Sequence, residues 1–320
     1  MTASLWRARG AEWLHRRFLA PPAPLAAIEV RAGAIGAVRV VADGGGRALA
    51  GAASVDLPEG TLRLSISEPN VVNPEAFRQS LRSVVEKAGI LGAGRVALVL
   101  PDPVARVALL PASEIRGRGA EAEEMIRFRL RKAVPFEIRD ARLASVPIHA
   151  PGKEPQVLVA AILASVLEEY EGACRALGLD PGLVELAGLA ILDSVEEKRR
   201  PADRLVVNWD EGYVSIILSQ GGAPVLMRTL TGADAGSPAN VVRETSQTAL
   251  YYKERLGGTG LTEAILRSTV IPVAEAALLL EEPLGLRPEA LDPWGALVGG
   301  DRSAAQMLAG AAAAVGRKAA

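Results

Sequence analysis

Few side chains in this sequence are of kinds that make or break bonds, and their spacing excludes most of what they could do. Among 320 residues there is one cysteine, Cys174, and there are two histidines, His15 and His149. A His/Cys metal cage needs more ligands than these, and a histidine-based triad needs an imidazole beside a nucleophile, which nothing in the pattern supplies. Cys174 shares a helical stripe with Val166, Tyr170 and Leu177, which reads as core rather than as a reactive thiol. A lone cysteine forms no disulfide within its chain, a usage that suits a reducing compartment. The Asp43-Gly44-Gly45-Gly46 stretch is flexible enough to approach a phosphate, but it separates two β-rich segments and reads as a hairpin turn.

The charged residues point to surfaces rather than to catalysis. Lys+Arg is 36 and Asp+Glu is 37, for a formal net charge of -1, so no global field favours DNA or RNA. Arg127, Arg129, Arg131 and Lys132 cluster late in a segment whose acids come first, the order that suits a helix dipole. That cluster reads either as a solvated face or as polar contacts for a docked partner. Near the N-terminus Leu5, Trp6, Trp13, Leu14 and Phe18 can share a helical face flanked by Arg7, Arg9, Arg16 and Arg17. Such a helix either lies on an anionic membrane surface through Trp6, Trp13 and Phe18 or packs on the body of the protein. The longest strongly apolar run, Val157 to Leu167, is far shorter than the ~20 residues that span a bilayer.

The elements that must position these residues alternate between strand and helix patterns. After Pro21-Pro22-Ala23-Pro24, a linker, come β-rich stretches over Ala27–Val30 and Ala34–Ala42. Pro74 opens a helix to about Ala88, with Phe77, Leu81, Val84 and Val85 at helical spacing. Strands follow over Val96–Leu100 and Arg106–Leu110, a helix over Glu121–Val134, strands over Arg142–Ile148 and Val157–Ile162, and the helix of Cys174. After Arg199-Arg200-Pro201-Ala202 the pattern restarts. Strands lie over Leu205–Asn208, Tyr213–Leu218 and Pro224–Thr229, with helices over Pro238–Leu256, Val273–Leu284 and from about Ser303. Strands followed by helices thus occur around 25–90 and again around 205–255, a weak internal repeat that implies two similar lobes facing a cleft.

Several motifs, in order, resemble the PilM family, the actin-like proteins of type IV pilus assembly, related to FtsA and to the cytoplasmic part of GspL. They are Val71-Val72-Asn73-Pro74-Glu75-Ala76; Val96-Ala97-Leu98-Val99-Leu100-Pro101-Asp102; Glu124-Met125-Ile126-Arg127 with Ala133-Val134-Pro135-Phe136; Gly178-Leu179-Asp180-Pro181 with Val184-Glu185-Leu186-Ala187; Gly221 to Arg228; and the helix ending in Tyr251 and Tyr252. The resemblance covers roughly residues 25–315. It implies an α/β, actin-like (ribonuclease H-like) two-lobed fold with an inserted α+β subdomain. Residues 1–24 would be the amphipathic helix and linker. Residues 25–200 would be the first lobe, with the insert at about 104–183. Residues 201–320 would be the second lobe, with the C-terminal helix returning to the first.

In the family the cleft holds ATP and a metal ion, and here the matching positions depart. Where the first turn has Asp-x-Gly-x-x-x-x-Lys, this chain has Glu29, Arg31 and Gly36. Where the second has Asp-x-Gly, it has Asn208, Trp209 and Asp210. Where the third has Ser-Gly-Gly, it has Arg267, Ser268 and Thr269. Phosphate turns need glycine so that backbone N–H groups come close, and a hydrated Mg²⁺ needs carboxylates. Losing three charge-assisted contacts, at roughly 1.5–3 kcal/mol each, weakens binding by about 10³ to 10⁶ if they add. The opposing reading has Arg31 replace the lost lysine as a phosphate contact.

The resemblance therefore implies a scaffold rather than an enzyme: a pseudo-nucleotidase with no cofactor expected, cytoplasmic and peripheral to the inner membrane, serving a type IV pilus or type II secretion assembly platform. Its expected partner is a PilN-like single-span membrane protein whose short N-terminal peptide docks between the first lobe and the insert. Pilus motor ATPases are further candidates. The expected groove walls are Val96–Pro101, Arg106–Leu110 and the Glu124–Phe136 helix, with Arg127, Arg131, Pro135 and Phe136 as partner-binding residues. The alternatives are an ATP-binding actin-like ATPase of the same family and an FtsA-like division protein.

Overall fold

The computed structural model describes residues 24–43, 46–294, 297–298 and 305–316. The expected interfacial helix, with Trp6, Trp13 and Phe18, lies outside the described residues.

Two sheets share one topology. The first is built from β1 (Ala26–Val30), β2 (Ala34–Asp43), β3 (Gly46–Asp56), helix α1 (Pro74–Lys87), β4 (Arg95–Leu100) and, later in the chain, β8 (Asp180–Leu186). An insert follows β4, comprising β5 (Ala105–Pro111), α2 (Ala120–Leu130), β6 (Ala141–Ile148) and β7 (Gln156–Leu163). Then α3 (Ala164–Arg175) leads to β8, and α4 (Ala187–Lys198) leaves it. The second sheet uses β9 (Arg204–Asp210), β10 (Tyr213–Gln220), β11 (Ala223–Thr231), α5 (Pro238–Arg255), β12 (Glu263–Ser268), α6 (Val273–Leu284) and β13 (Glu289–Ala290). β14 (Leu297–Val298) and α7 (Ala309–Gly316) close the chain. The strand orders are β14-β3-β2-β1-β4-β8 and β11-β10-β9-β12-β13. With β14 set aside, both read third, second, first, fourth, fifth. The repeat seen in the strand pattern is thus a repeat of topology.

Burial explains why the strands read as they do. β1, β9 and β10 are covered on both faces, so their apolar residues run nearly unbroken. Helices α1 and α3 cover one face of the first sheet with Phe77, Leu81, Val84, Tyr170 and Cys174. Helix α7 covers the other with Ala311, Ala312, Ala314 and Val315. Helix α4 lies between the lobes and packs Ile191, Leu192 and Val195 on Val206, Ile217 and Ile265 of the second sheet. Helices α5 and α6 close the far side with Val241, Tyr252, Ala276 and Leu280. The result is five layers, helix-sheet-helix-sheet-helix. Local signals start the outer helices: Asn73 caps α1 by accepting from the Ala76 amide, Ser237 caps α5 by accepting from Asn240, and each is followed by proline.

Two expectations need correction. The helix expected over Glu121–Val134 stops at Leu130, and Arg131–Pro135 turn instead, because a proline disfavours helical backbone at the residue before it. The insert's own sheet, in the order β5-β7-β6, ends at Leu163. Helix α3, placed by the sequence within an insert reaching residue 183, packs in the first lobe's core. Cys174 is buried as expected, and burial pushes its thiol up to about 12, far from thiolate chemistry at neutral pH.

Candidate functional site

The positions singled out at the three turns do meet. Period-2 alternation puts Glu29 and Arg31 on one face of the first hairpin, and Asn208 and Asp210 on the matching face of the second. Glu29 pairs across its hairpin with Gly36, as Asn208 does with Ser215. Arg267 lies beside Asn208 in the β12–β9 register. All are buried: Glu29 is 0% exposed, Arg31 3%, Asn208 0%, Asp210 1% and Arg267 1%.

Their side chains form one network across the lobes. Arg31 Nε donates to both Asp210 oxygens, at 3.1 and 3.2 Å. Arg267 donates to Glu29 Oε1 at 2.9 Å, Asp210 Oδ2 at 3.1 Å, Asn208 Oδ1 at 2.8 Å and the Gln306 carbonyl at 2.8 Å. The other Glu29 oxygen accepts from the Ala311 amide at 3.0 Å, in the first turn of α7. Thr269 Oγ1 and the Glu211 amide complete the shell of Asp210. Two carboxylates face two guanidiniums, so this set balances its own charge. Burial raises the pKa of the Asp210 carboxyl, but Arg267, Arg31, Thr269 and the Glu211 amide outweigh it and hold the group below the usual aspartate range. Burial lowers the Arg267 guanidinium, but Glu29 and Asp210, with smaller contributions from Tyr213 and Asp102, outweigh it and push the group up.

A third acid, Asp102, lies just beyond β4 and was not among the sequence-derived site residues. It accepts from Ser215 Oγ at 2.6 Å, from the Gly188 amide at 2.9 Å and from Asn208 Nδ2 at 3.3 Å. It therefore caps α4 and grips the second lobe's hairpin at once. Gly188 permits this, since a Cβ there would lie 2.8 Å from Asp102 Oδ2. Burial raises the Asp102 carboxyl despite these donors. Gly36 also has a packing role: a Cβ there would lie 2.7 Å from Leu308. Ser268 turns away into a local turn, donating to the Ile271 carbonyl at 2.7 Å. The signal for Asp102 and Arg267 was present in the sequence, as a charge in or just past an apolar strand.

The residues expected to bind a partner, Arg127, Arg131, Pro135 and Phe136, do not line the apolar groove between the insert and the first lobe. Ile126 and Leu130 of α2 pack on Val159 and Ala161 of β7. The alternate β7 residues Leu158, Ala160 and Ile162 face the other way, into an apolar groove of about 520 Å³. Its other walls are β6, β8, α4 and Pro224 of the second lobe. Helix α2 is thus behind the inserted sheet and is no wall of the groove. Arg127 hydrogen-bonds the Ile138 and Ala141 carbonyls and Glu123. Arg131 stacks 4.4 Å over the Phe128 ring, Phe136 is half-buried against the insert's core, and Pro135 is exposed.

Two lobes of one topology packed against each other, with an insert after the fourth strand of the first, define an actin-like fold. Among solved structures, a chain of the PilM-PilN type IV pilus biogenesis complex matches with a TM-score of 0.74 and 22% identity, covering 92% of this chain and 97% of that one. A Bacteroides thetaiotaomicron protein of actin-like ATPase fold and unknown function matches at 0.49 and 12% identity, over 89% and 93%. The cytoplasmic domain of EpsL, an inner membrane component of the Vibrio cholerae type II secretion system, matches at 0.47 and 13% identity, over 81% and 93%. No family model matches the sequence, and no curated protein sequence matches it. Among the described residues no helix is long and apolar enough to cross a membrane.

Proposed function

We propose that this chain is a PilM-like scaffold on the cytoplasmic side of an inner-membrane pilus or secretion assembly platform, and that it docks a short apolar N-terminal peptide of a PilN-like membrane protein. The observation that carries this reading is the apolar groove between β6–β7 of the insert and β8–α4 of the first lobe, in a chain whose fold matches one from the PilM-PilN complex. An extended peptide suits such a slot because alternate side chains enter it while the others stay outside. Val146, 47% exposed on edge strand β6, is an apolar residue that a peptide would cover.

On the same reading the cleft is a pseudo-nucleotidase site. A magnesium nucleotide needs free carboxylates for the hydrated ion and close-approaching amides for phosphate. The side chains here do not fit that need: Glu29 and Asp210 are engaged by Arg267 and Arg31, and Asp102 is held by Ser215, Gly188 and Asn208. The test of docking is calorimetry of the purified chain with the cytoplasmic N-terminal peptide of a PilN-like single-span membrane protein from the same genome. Saturable binding, weakened at least tenfold by Val146→Asp or Leu158→Asp at unchanged melting temperature, is the expected result. No binding at submillimolar peptide defeats the scaffold reading.

A further inference from the structure

We propose that Arg31 and Arg267 form a built-in cationic latch, taking the place of a ligand between the lobes and holding them together without one. The inference extends the pseudo-nucleotidase reading above, but it rests on geometry of its own. Four oxygens converge on the Arg267 guanidinium: Glu29 Oε1, Asp210 Oδ2, Asn208 Oδ1 and the Gln306 carbonyl, all at 2.8–3.1 Å. They come from β1, from β9 and from the segment before α7, so no single element builds the set. Two carboxylates, an amide oxygen and a backbone carbonyl are the hard donors that otherwise collect around a divalent cation. A guanidinium satisfies them here because its fixed fork of donors reaches several acceptors at once. Arg31 supplies the second charge from the first lobe, closing on Asp210.

The latch is tied to the rest of the interface. Glu29 holds the amide of Ala311 in α7, and Asn208 passes the contact to Asp102, which holds the start of α4. On the insert side Lys153 donates to the Leu256 carbonyl at the end of α5, a second cation bridging to the second lobe. With its own cations in place, the interface has no need of an added ion to hold the carboxylates of both lobes together.

The experiment removes the internal cation and asks whether an external one replaces it. Arg267→Met leaves Glu29 and Asp210 facing each other without Arg267. Its melting temperature should fall by roughly 10 °C, since a buried charge has lost its partner. Millimolar MgCl₂ or MnCl₂ should restore several degrees beyond KCl of matched ionic strength, while the unmodified chain does not respond. Small-angle scattering should show a larger radius of gyration for the variant, contracting again with the divalent ion. If Arg267→Met yields no folded protein, Arg31→Met, which leaves Arg267 on Glu29, is measured in the same way. A variant as stable as the parent overturns the latch, as does a destabilised one on which divalent ions act no more than KCl. Neither nucleotide nor peptide enters the experiment, so its failure leaves the docking reading standing, and failure of docking leaves the latch standing.

Discussion

Arg31 and Asp210 occupy equivalent places in the two lobes, Arg31 just past β1 and Asp210 at the end of β9, where the first hairpin of each sheet turns, and their side chains bind each other between the lobes at 3.1 Å. The Arg31 amide bonds the Ala34 carbonyl across its turn, and Asp210 pairs with Tyr213 across the other. Opposite charges at equivalent sites of a duplicated fold attract each other wherever the lobes close. A glycine at both places would leave the gap open to a third molecule.

The chain should therefore be indifferent to nucleotide. A ligand at 100 times its Kd adds ~2.7 kcal/mol to stability, a melting shift of several degrees. In differential scanning fluorimetry with millimolar Mg-ATP the shift should stay under about 1 °C, and no phosphate should be released above background. A clear upward shift would mean that Glu29, Arg31, Asp210 and Arg267 rearrange to admit the ligand.

The two buried aspartates should respond oppositely to pH. Asp210 is depressed in the folded chain, so its contribution is present above the ordinary aspartate pKa and lost as pH falls through the lower folded value. Asp210→Asn leaves two buried guanidiniums short of a counter-charge and should cost about 3–5 kcal/mol at neutral pH. Asp102 is raised, so its contribution is present below the ordinary value and lost as pH rises through the folded one. Asp102→Asn keeps an oxygen for the Gly188 amide, and its nitrogen can donate to Ser215, whose hydroxyl turns to Thr229; the long contact from Asn208 Nδ2 is lost, and that nitrogen keeps Tyr213 as acceptor. That variant should be nearly as stable as the parent at neutral pH and should lack the decline over the Asp102 window. Chemical denaturation across acidic to neutral pH reads both effects.

Arg127 should matter for stability and not for the partner. Its guanidinium satisfies two backbone carbonyls between α2 and β6, at 2.5 and 3.2 Å. Arg127→Ala should lower stability by about 1–3 kcal/mol while leaving the affinity for the apolar peptide unchanged in calorimetry. A loss of peptide affinity without a loss of stability would return α2 to the binding surface.

Much of the fold was legible because its signals are local. The apolar runs of β1, β4 and β9, the Asn73-Pro74 start of α1 and the stripe through Val166, Tyr170 and Cys174 follow from periodicity and capping alone. Less legible were β8, which carries Asp180, Pro181 and Gly182 before its apolar end, and α4, whose apolar residues serve two lobes and show no single stripe. The sequence by itself singled out Glu29, Arg31, Asn208, Asp210 and Arg267, because the order of motifs placed them at the turns, and it missed Asp102, which joins them through Asn208. It left open what they do there, since Arg31 also had an opposing reading as a phosphate contact in place of the lost lysine. Only the tertiary structure decided that these charges face one another, because Arg267 and Glu29 are 238 residues apart and meet only when the lobes pack. For the same reason it alone put α2 behind the inserted sheet: the alternation of β7 shows that the strand has two faces, but which face a helix takes and which stays open is settled by how the insert sits on the first lobe.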